Sequence, residues 1–412
     1  MQLSMPDAFF GPAETTWLTR KSLGVIADRQ SREAEDPRLD LPAIFRDEQV
    51  DARSSGGQEP RRFPFDVFGT AFFLLSRYEE VVSDERDGLG RFPARASALG
   101  RLGLLRTPVV DAQIDALAHA IASLWPQYRP PRSDYRVTLT HDVDALRNRG
   151  RSVGRLALAI GADLFRRRSP AIAYSRFRAA SAAPRATLDE RDPFNTFDYL
   201  LTAAERHGVG AEFFFVPKPS DVRFDPDYSI DDPDVVHLLH TIQRRGHRIG
   251  LHASFHAADS STRLRMEFDL LRQTAERAGF EQQAWGGRHH YLRWRPGSSW
   301  EHWAEAGLHY DSSLGFAEEP GFRCGTSHPY PPWSFALRAP LPLIERPLIV
   351  MDTTLFGYQR MSSHAALQTV KDLAKACRRY GGCLVLLWHN HNLLTTQARR
   401  DYANILDVAF TA

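Results

Sequence analysis

Three short stretches of this 412-residue chain place acids or imidazoles where an apolar, strand-like run stops. His141, Asp142 and Asp144 follow the β-branched alternation of "YRVTLT", His252 and His256 sit in "GLHASFH", and His389 and His391 close the run "CLVLLWHNH". In α/β proteins, strand ends are where ligand sites are built. Carboxylates and imidazoles gathered there suit a divalent ion in a nitrogen and oxygen site that keeps positions open for water. Each stretch also has a plainer explanation: an Asp after a strand can cap a helix or close a turn, and a lone histidine is commonly a satisfied core residue. The spacing of "HASFH" matches the paired histidines of a zinc peptidase helix, but Ala253 stands where that motif needs its glutamate base, so the motif is excluded. A helical turn after the strand would still direct both rings at one ion.

The elements that must carry these residues alternate along the second two-thirds of the chain. "FDYLLTAAERHG", "PDVVHLLHTIQRRG", "SSWEHWAEAGL" and "ALQTVKDLAKACRRYGG" have the period of helices. "YRVTLT", "GAEFFFVP", "HRIGL" and "CLVLLW" read as strands, so the rhythm predicts βα units and a parallel sheet or barrel. Residues 1–133 form a separate module, with a polar, disorder-prone stretch at "DEQVDARSSGGQEPRR" and a helical pattern in "FPFDVFGTAFFLLSRYEEVVS". The prolines of "QYRPPRSD" mark the boundary, and residues 134–412 form the larger domain.

Composition is that of an ordinary globular protein, and a net charge of +2 gives no reason to expect nucleic acid as a partner. Cys324, Cys377 and Cys383 include no CxxC pair and suggest free thiols in a reducing compartment. The N-terminus lacks the basic start and apolar run of a signal peptide, and no run reaches the length of a membrane span, so a cytoplasmic location is expected. One segment stands apart: residues 145–188 hold ten arginines and one acid, Asp163, around "LALAIGADLF". Such an insertion, about 147–188, either faces water or contacts an anionic membrane surface or a phosphate.

The region from about Tyr135 onward resembles the NodB-type polysaccharide deacetylases of carbohydrate esterase family 4. "LTHDVD" stands where their T-F-D-D-G motif stands, and "HASFH" is similar to their H-[ST]-x-x-H. "GGRHHYLRW", "YDSSLGF" and "LLWH" resemble the third, fourth and fifth motifs in order. The N-terminal pieces "FPFDVFGTAFFLLSRYEE" and "GRFPARAS" resemble an uncharacterised domain that often precedes deacetylases of this "HDVD" type in bacterial surface-polysaccharide biosynthesis. The resemblance implies an α/β fold, a distorted (β/α) barrel of the NodB type with a smaller N-terminal α/β module.

Carried residue by residue, it implies Asp142 as general base, Arg288 as its tether and His389 as general acid, with His252 and His256 holding Zn²⁺ or another divalent metal. Val143 occupies the family's second aspartate position, so the third ligand is assigned to Asp144. A D-V-D arrangement also occurs in the related lipid-linked aminoarabinose deformylases. His290 and Tyr291 are expected to contact the sugar or else to pack, His328 to line the pocket from its Pro-rich loop, Asp311 to hold the His389 ring or equally to form a turn, and Asp352 to contact substrate or support His389. Trp294, Trp300 and Trp303 read as packing residues.

The implied reaction is removal of an N-acetyl or N-formyl group from an amino sugar, free, nucleotide-linked, lipid-linked or polymeric, in O-antigen or capsule synthesis. It needs an activated water, a stabiliser for the oxyanion and a proton for the departing amine. Two other classes compete. A metal phosphohydrolase would use His141 beside Asp142 and the arginine-rich segment as a phosphate grip; a catalytically silent sugar-binding protein would explain Val143.

Overall fold

The computed structural model describes residues 65–147 and 192–411 continuously, with residues 3–7, 9–10, 17–19, 44–45, 61–63, 160–161, 173–174, 177 and 188 besides. Almost all of the polar stretch 47–60 and of the arginine-rich segment 147–188 lies outside the described residues.

Eight strands form one parallel sheet: β1 (Arg136–Val143), β2 (Glu212–Phe215), β3 (Arg248–Ala253), β4 (Gly286–His289), β5 (Tyr310–Asp311), β6 (Ile344–Glu345), β7 (Val350–Met351) and β8 (Cys383–Leu387). Their spatial order is β6-β5-β4-β3-β2-β1-β8-β7. The chain therefore builds outward from β1 through β6, then crosses back to place β8 and β7 on the other flank. Among the described residues no ladder joins β6 to β7, so the sheet curls into a barrel that is not closed by hydrogen bonds at that seam. This is the α/β, distorted (β/α) barrel architecture expected.

Sequence explains the strands. "EFFF" and "CLVLL" are almost continuously apolar because a parallel strand in a barrel is buried on both faces. Between strands run amphipathic helices, among them α1 (Phe197–Arg206), α2 (Pro233–Arg244), α3 (Ser261–Arg277) and α4 (Ser363–Arg379). Their boundaries are chemical: Pro233 opens α2, and the Ser260 and Ser362 side chains accept from the Arg263 and Ala365 N–H groups to cap α3 and α4. Leu200, Leu239, Leu271 and Leu373 point from these helices onto Leu139, Phe213, Ile249 and Leu386 of the sheet, all fully buried. Trp294, Trp300 and Trp303 are buried in the same core, as their reading as packing residues expected. Cys324 and Cys377 are buried free thiols, and Cys383 is partly buried.

The described N-terminal part is largely helical, with Val67–Leu75, Tyr78–Val82 and Val109–Leu124, plus one parallel pair, Leu3–Ser4 with Arg61–Arg62. It has its own core of Phe9, Phe45, Phe73, Tyr78 and Val109. It also grips the barrel through buried charge. Glu80 accepts from Arg77 Nη2 at 2.7 Å and from Arg323 Nη2 at 2.6 Å, and all three side chains are buried. Burial opposes ionisation of Glu80, but Arg323 and Arg77 outweigh it and hold the carboxyl down to about 2. Asp111 accepts from Thr326 Oγ1 and from the backbone and side chain of Ser327. No helix among the described residues is long and apolar enough to cross a membrane.

Candidate metal centre

Strand alternation assembles the site. Successive side chains of a strand point to opposite faces, so Thr140, Asp142 and Asp144 share one side of β1 and its extension, while His141 and Val143 take the other. Val143 is fully buried in the layer between sheet and helices, which is why an apolar residue separates the two aspartates. On β4 the same rule puts Arg288 and His290 on one side and turns His289 outward, where its Nε2 accepts from Trp303 Nε1 at 2.8 Å. On β8, Val385, Leu387 and then His389 follow the inner side, and Trp388 the outer. His252 comes from β3, whose close approach to β4 depends on Gly287: a Cβ there would run into the Leu251 carbonyl.

Asp144, His252 and His290 each offer one ligand atom, all within 4.8 Å of one another. Asp144 Oδ1 lies 3.3 Å from His252 Nε2 and 3.5 Å from His290 Nε2. It is buried and accepts no hydrogen bond. Both rings are fixed from behind. His252 Nδ1 faces the Arg288 carbonyl at 3.1 Å and His290 Nδ1 faces Asp225 Oδ1 at 2.9 Å. Acceptor-only partners require N–H at each Nδ1, which leaves the two Nε2 lone pairs aimed at the Asp144 oxygen. An orphaned carboxylate oxygen between two imidazole lone pairs is a donor set that fits a divalent cation. Burial opposes the charge of Asp144, but His290, His389 and His252 hold its carboxyl well below the usual range; they do so as proton-bearing rings, the positive charge that a bound cation would replace. Burial likewise works against a charged His252, and Asp142 and Asp144 raise it nonetheless.

Two further pairs flank this triad. Arg288, fully buried, donates from Nη1 to Asp142 Oδ1 at 3.0 Å and to Thr140 Oγ1 at 2.9 Å, and its other donors are taken by the Ser312 carbonyl and hydroxyl. The carboxylate is thereby held with Oδ2 3.6 Å from His252 Nε2. Across the cluster, His389 Nδ1 meets Asp352 Oδ1 at 2.7 Å, and the same aspartate accepts the His389 backbone N–H. His389 Nε2 points inward, 3.5 Å from Asp144 Oδ2. Burial disfavours the imidazolium, yet Asp352 and Asp144 push His389 up to about 10, while burial of Asp352 is outweighed by His389 and Asn392, which hold it low.

The structure thus brings together Asp142, Asp144, His252, Arg288, His290, His389 and Asp352. It leaves out His256. The expected helical turn does not follow β3; the strand runs to Ala253 and a 3₁₀ turn spans Phe255–Asp259. The two histidines therefore diverge, and His256, half exposed, faces Asp221 Oδ2 at 3.4 Å. His290, expected to touch the sugar, takes the corresponding place in the cluster. Asp311 does not hold His389, a part that falls to Asp352. It is fully buried against Ser313 and has no access to a substrate. His328 lies away from the cavity, with Nε2 at the Tyr380 carbonyl, 3.0 Å. His141 is on the outer face with Nδ1 2.9 Å from the Trp388 carbonyl, and burial lowers it to about 4, so it cannot serve beside Asp142 in phosphoryl chemistry. Tyr291 does line the cavity, with φ 59° there and 55° at Leu292.

The cavity over the cluster is about 180 Å³, walled by Tyr291, Leu292, Met351, Thr353, Tyr358 and Arg91. Thr353–Tyr358 is a π-helical turn, a form frequent at functional sites. Two contributors escaped the sequence reading. Asp225 accepts from Ser220, Asp221 and Phe255 as well as from His290, and these bonds, against burial, hold it below the usual carboxylate range. Nothing in its stretch, "DVRFDPDYS", marks it among four neighbouring acids of the 221–232 region. Arg91 comes from the N-terminal part, and no spacing links it to the barrel.

Comparison with known proteins adds little beyond this geometry. Residues 21–126 match DUF7033, a family of unknown function. No curated protein matches the chain. Among solved structures, a Mycobacterium smegmatis protein assigned provisionally as a polysaccharide deacetylase is similar at 18% identity and a TM-score of 0.44, over 68% of this chain and 85% of that one. The allantoinase PuuE is similar at 12% identity and a TM-score of 0.43, over 69% of this chain and 89% of its own. Likeness this low leaves the chemistry to be read from this chain's own residues.

Proposed function

We propose that this protein is a metal-dependent hydrolase that removes an N-acyl group, acetyl or formyl, from an amino sugar. The observation that carries the reading is the convergence of His252 Nε2, His290 Nε2 and the orphaned Asp144 Oδ1, with a tethered carboxylate on one side and a carboxylate-backed imidazole on the other. Zn²⁺ or another divalent ion held by Asp144, His252 and His290 would supply a Lewis acid for the acyl oxygen and a more acidic water.

This chain's residues account for the proton traffic. Asp142, positioned by Arg288 through Oδ1 and lining the cavity with Oδ2 3.6 Å from His252 Nε2, takes a proton from the attacking water. His389 carries its protons on Nδ1, toward Asp352, and on Nε2, toward the cavity, and gives the Nε2 proton to the departing amine. Neutralising Asp144 removes part of the push that raises His389, bringing the imidazolium closer to the range in which it can donate. Arg288 positions Asp142, and the Asp352 carboxylate behind His389 favours the imidazolium that the acid role needs.

The amino-sugar substrate is supported by the ordered run of deacetylase-like motifs from "LTHDVD" to "LLWH". The same resemblance favours a place in surface-polysaccharide synthesis, in the cytoplasm, with residues 1–133 as an accessory domain. Arginines of 147–188 would give peripheral contact with an anionic membrane. The test is release of acetate or formate by the zinc-loaded full chain from a panel of N-acylated amino sugars, beside an Asp142→Asn variant. Release by the wild type alone supports the reading; no release from any panel member, or equal release by the variant, sinks it.

A further inference from the structure

The chain leaves the metal centre in a conformation that its own residue types disfavour. Directly after His290, Tyr291 and Leu292 both take the left-handed backbone region, at φ 59° and 55°, and both line the cavity. Glycine, asparagine and aspartate visit that region readily, and then as single residues; a tyrosine followed by a leucine does not. Two such residues in a row persist only where their surroundings over-determine them. Because Tyr291 is the next residue along from His290, whatever fixes this turn also fixes the histidine from its C-terminal side.

Those surroundings come from the N-terminal part. Three consecutive residues there, Leu89, Gly90 and Arg91, meet alternate residues of the 291–295 stretch. The Leu89 carbonyl accepts from Arg293 Nε at 3.0 Å, the Gly90 carbonyl accepts from Arg295 Nη1 at 3.0 Å, and Arg91 Nη1 donates to the Tyr291 carbonyl at 3.3 Å. Arg91 Nη2 also donates to the Tyr358 hydroxyl at 3.3 Å.

Both sides of this contact are themselves held. Asp87 Oδ1 accepts the N–H groups of Leu89 and Arg91, and its Oδ2 takes Arg91 Nε at 2.7 Å. Gly90 turns at φ 78°, and a Cβ there would lie 2.7 Å from Arg295 Nη1. On the barrel side, buried Arg293 donates to the Phe255 carbonyl and to Asp259 Oδ2, while Arg295 Nε donates to Asp259 Oδ1 at 2.7 Å. The Leu89 carbonyl thus completes the partners of a buried guanidinium, which is costly to leave short of one.

We propose that the Asp87–Arg91 loop is a clamp on the His290–Leu292 turn: it holds the left-handed conformation that delivers His290 to the metal, so the N-terminal part is a working component of the centre. The proposal rests on the metal-centre reading and is independent of which substrate the cavity takes. Leu89, Gly90 and Arg91 are positioning residues in it.

The test uses the full chain and two measurements. Hydrogen–deuterium exchange of the metal-free protein reads the turn, and zinc titration against a chelator reads the ligand. Arg91→Ala and Gly90→Val should each speed exchange of residues 290–295 at least tenfold and weaken zinc binding at least fivefold. Glu318→Ala breaks a different contact between the same two parts, the 2.7 Å bond from the Ala94 N–H, and should change neither. Adding Tyr291→Gly to Arg91→Ala should regain at least threefold in zinc affinity, since glycine takes the left-handed region without penalty. Unchanged exchange in either clamp variant, unchanged zinc affinity despite faster exchange, equal effects from Glu318→Ala, or no gain from Tyr291→Gly overturns the clamp. The two readings fail separately: zinc bound by the wild type with no contrast in exchange defeats the clamp alone, and a contrast in exchange in a chain that binds no zinc upholds the hold on the turn and defeats the metal centre.

Discussion

Asp225 Oδ1 lies 2.9 Å from His290 Nδ1, although 65 residues separate them, and the contact is buried. A carboxylate behind a ligating imidazole fixes its tautomer and strengthens it as a donor. Asp225→Asn should therefore weaken zinc binding by about 10–100-fold with the fold intact. Metal titration with a competing chelator, alongside circular dichroism, measures this; unchanged affinity would show that His290 is held by something else.

The same geometry separates two histidines that sequence spacing treats alike. His290→Ala should abolish stoichiometric zinc, while His256→Ala, which removes a half-exposed ring facing Asp221, should retain it. Elemental analysis of the purified variants decides, and the reverse result would restore the His-x-x-x-His pair.

Asp352 should matter to turnover rather than to metal content. Asp352→Asn removes the carboxylate that orients His389 and favours its protonated form, and a general acid so weakened typically costs on the order of a hundredfold in kcat. Zinc stoichiometry should stay at wild-type level, which distinguishes this variant from the His290 one.

Arg288→Ala should lower kcat on the order of a hundredfold or more by freeing Asp142. Because Arg288 also bonds Thr140 and Ser312 in the core, thermal stability should fall with it. Asp142→Asn is expected to lose the activity as well, with a smaller loss of melting temperature, because Arg288 loses its paired carboxylate but keeps its bonds to Thr140 and Ser312.

Acid stability provides an independent check on the interface between the N-terminal part and the barrel. The Glu80 carboxyl is lowered from 4.5 to about 2 in the folded chain, so its stabilisation is complete above about 4.5 and disappears as pH falls from there toward 2. Glu80→Gln should destabilise at neutral pH by about 3–5 kcal/mol, since two buried guanidinium groups lose their counter-ion, and should flatten the acid limb of the stability curve. Urea unfolding from pH 7 to pH 3 reads both effects.

The fold was legible because apolar runs and helical periods in a barrel of this size are local properties: "EFFF", "CLVLL" and the helices after them read directly as βα units. Asp142, Asp144, His252 and His389 were legible for the same reason, as polar residues at strand ends. His290 was recoverable in principle, because period two along "GRHH" sets it on the face of Arg288, two residues before it. His256 misled because the i, i+4 rule applies only inside an α-helix, and here the chain leaves a strand into a 3₁₀ turn. Asp225 and Arg91 were not readable: their parts depend on contacts across 65 and 200 residues, which no local pattern encodes.

The buried knot of Arg77, Glu80 and Arg323 also restricts how chains of this kind can be recombined. Cutting at the proline-rich connector and grafting a foreign leading segment onto the barrel would strand Arg323 in an apolar environment without its counter-ion, and the excised segment would keep a carboxylate short of one partner. A viable hybrid must import position 323 together with positions 77 and 80.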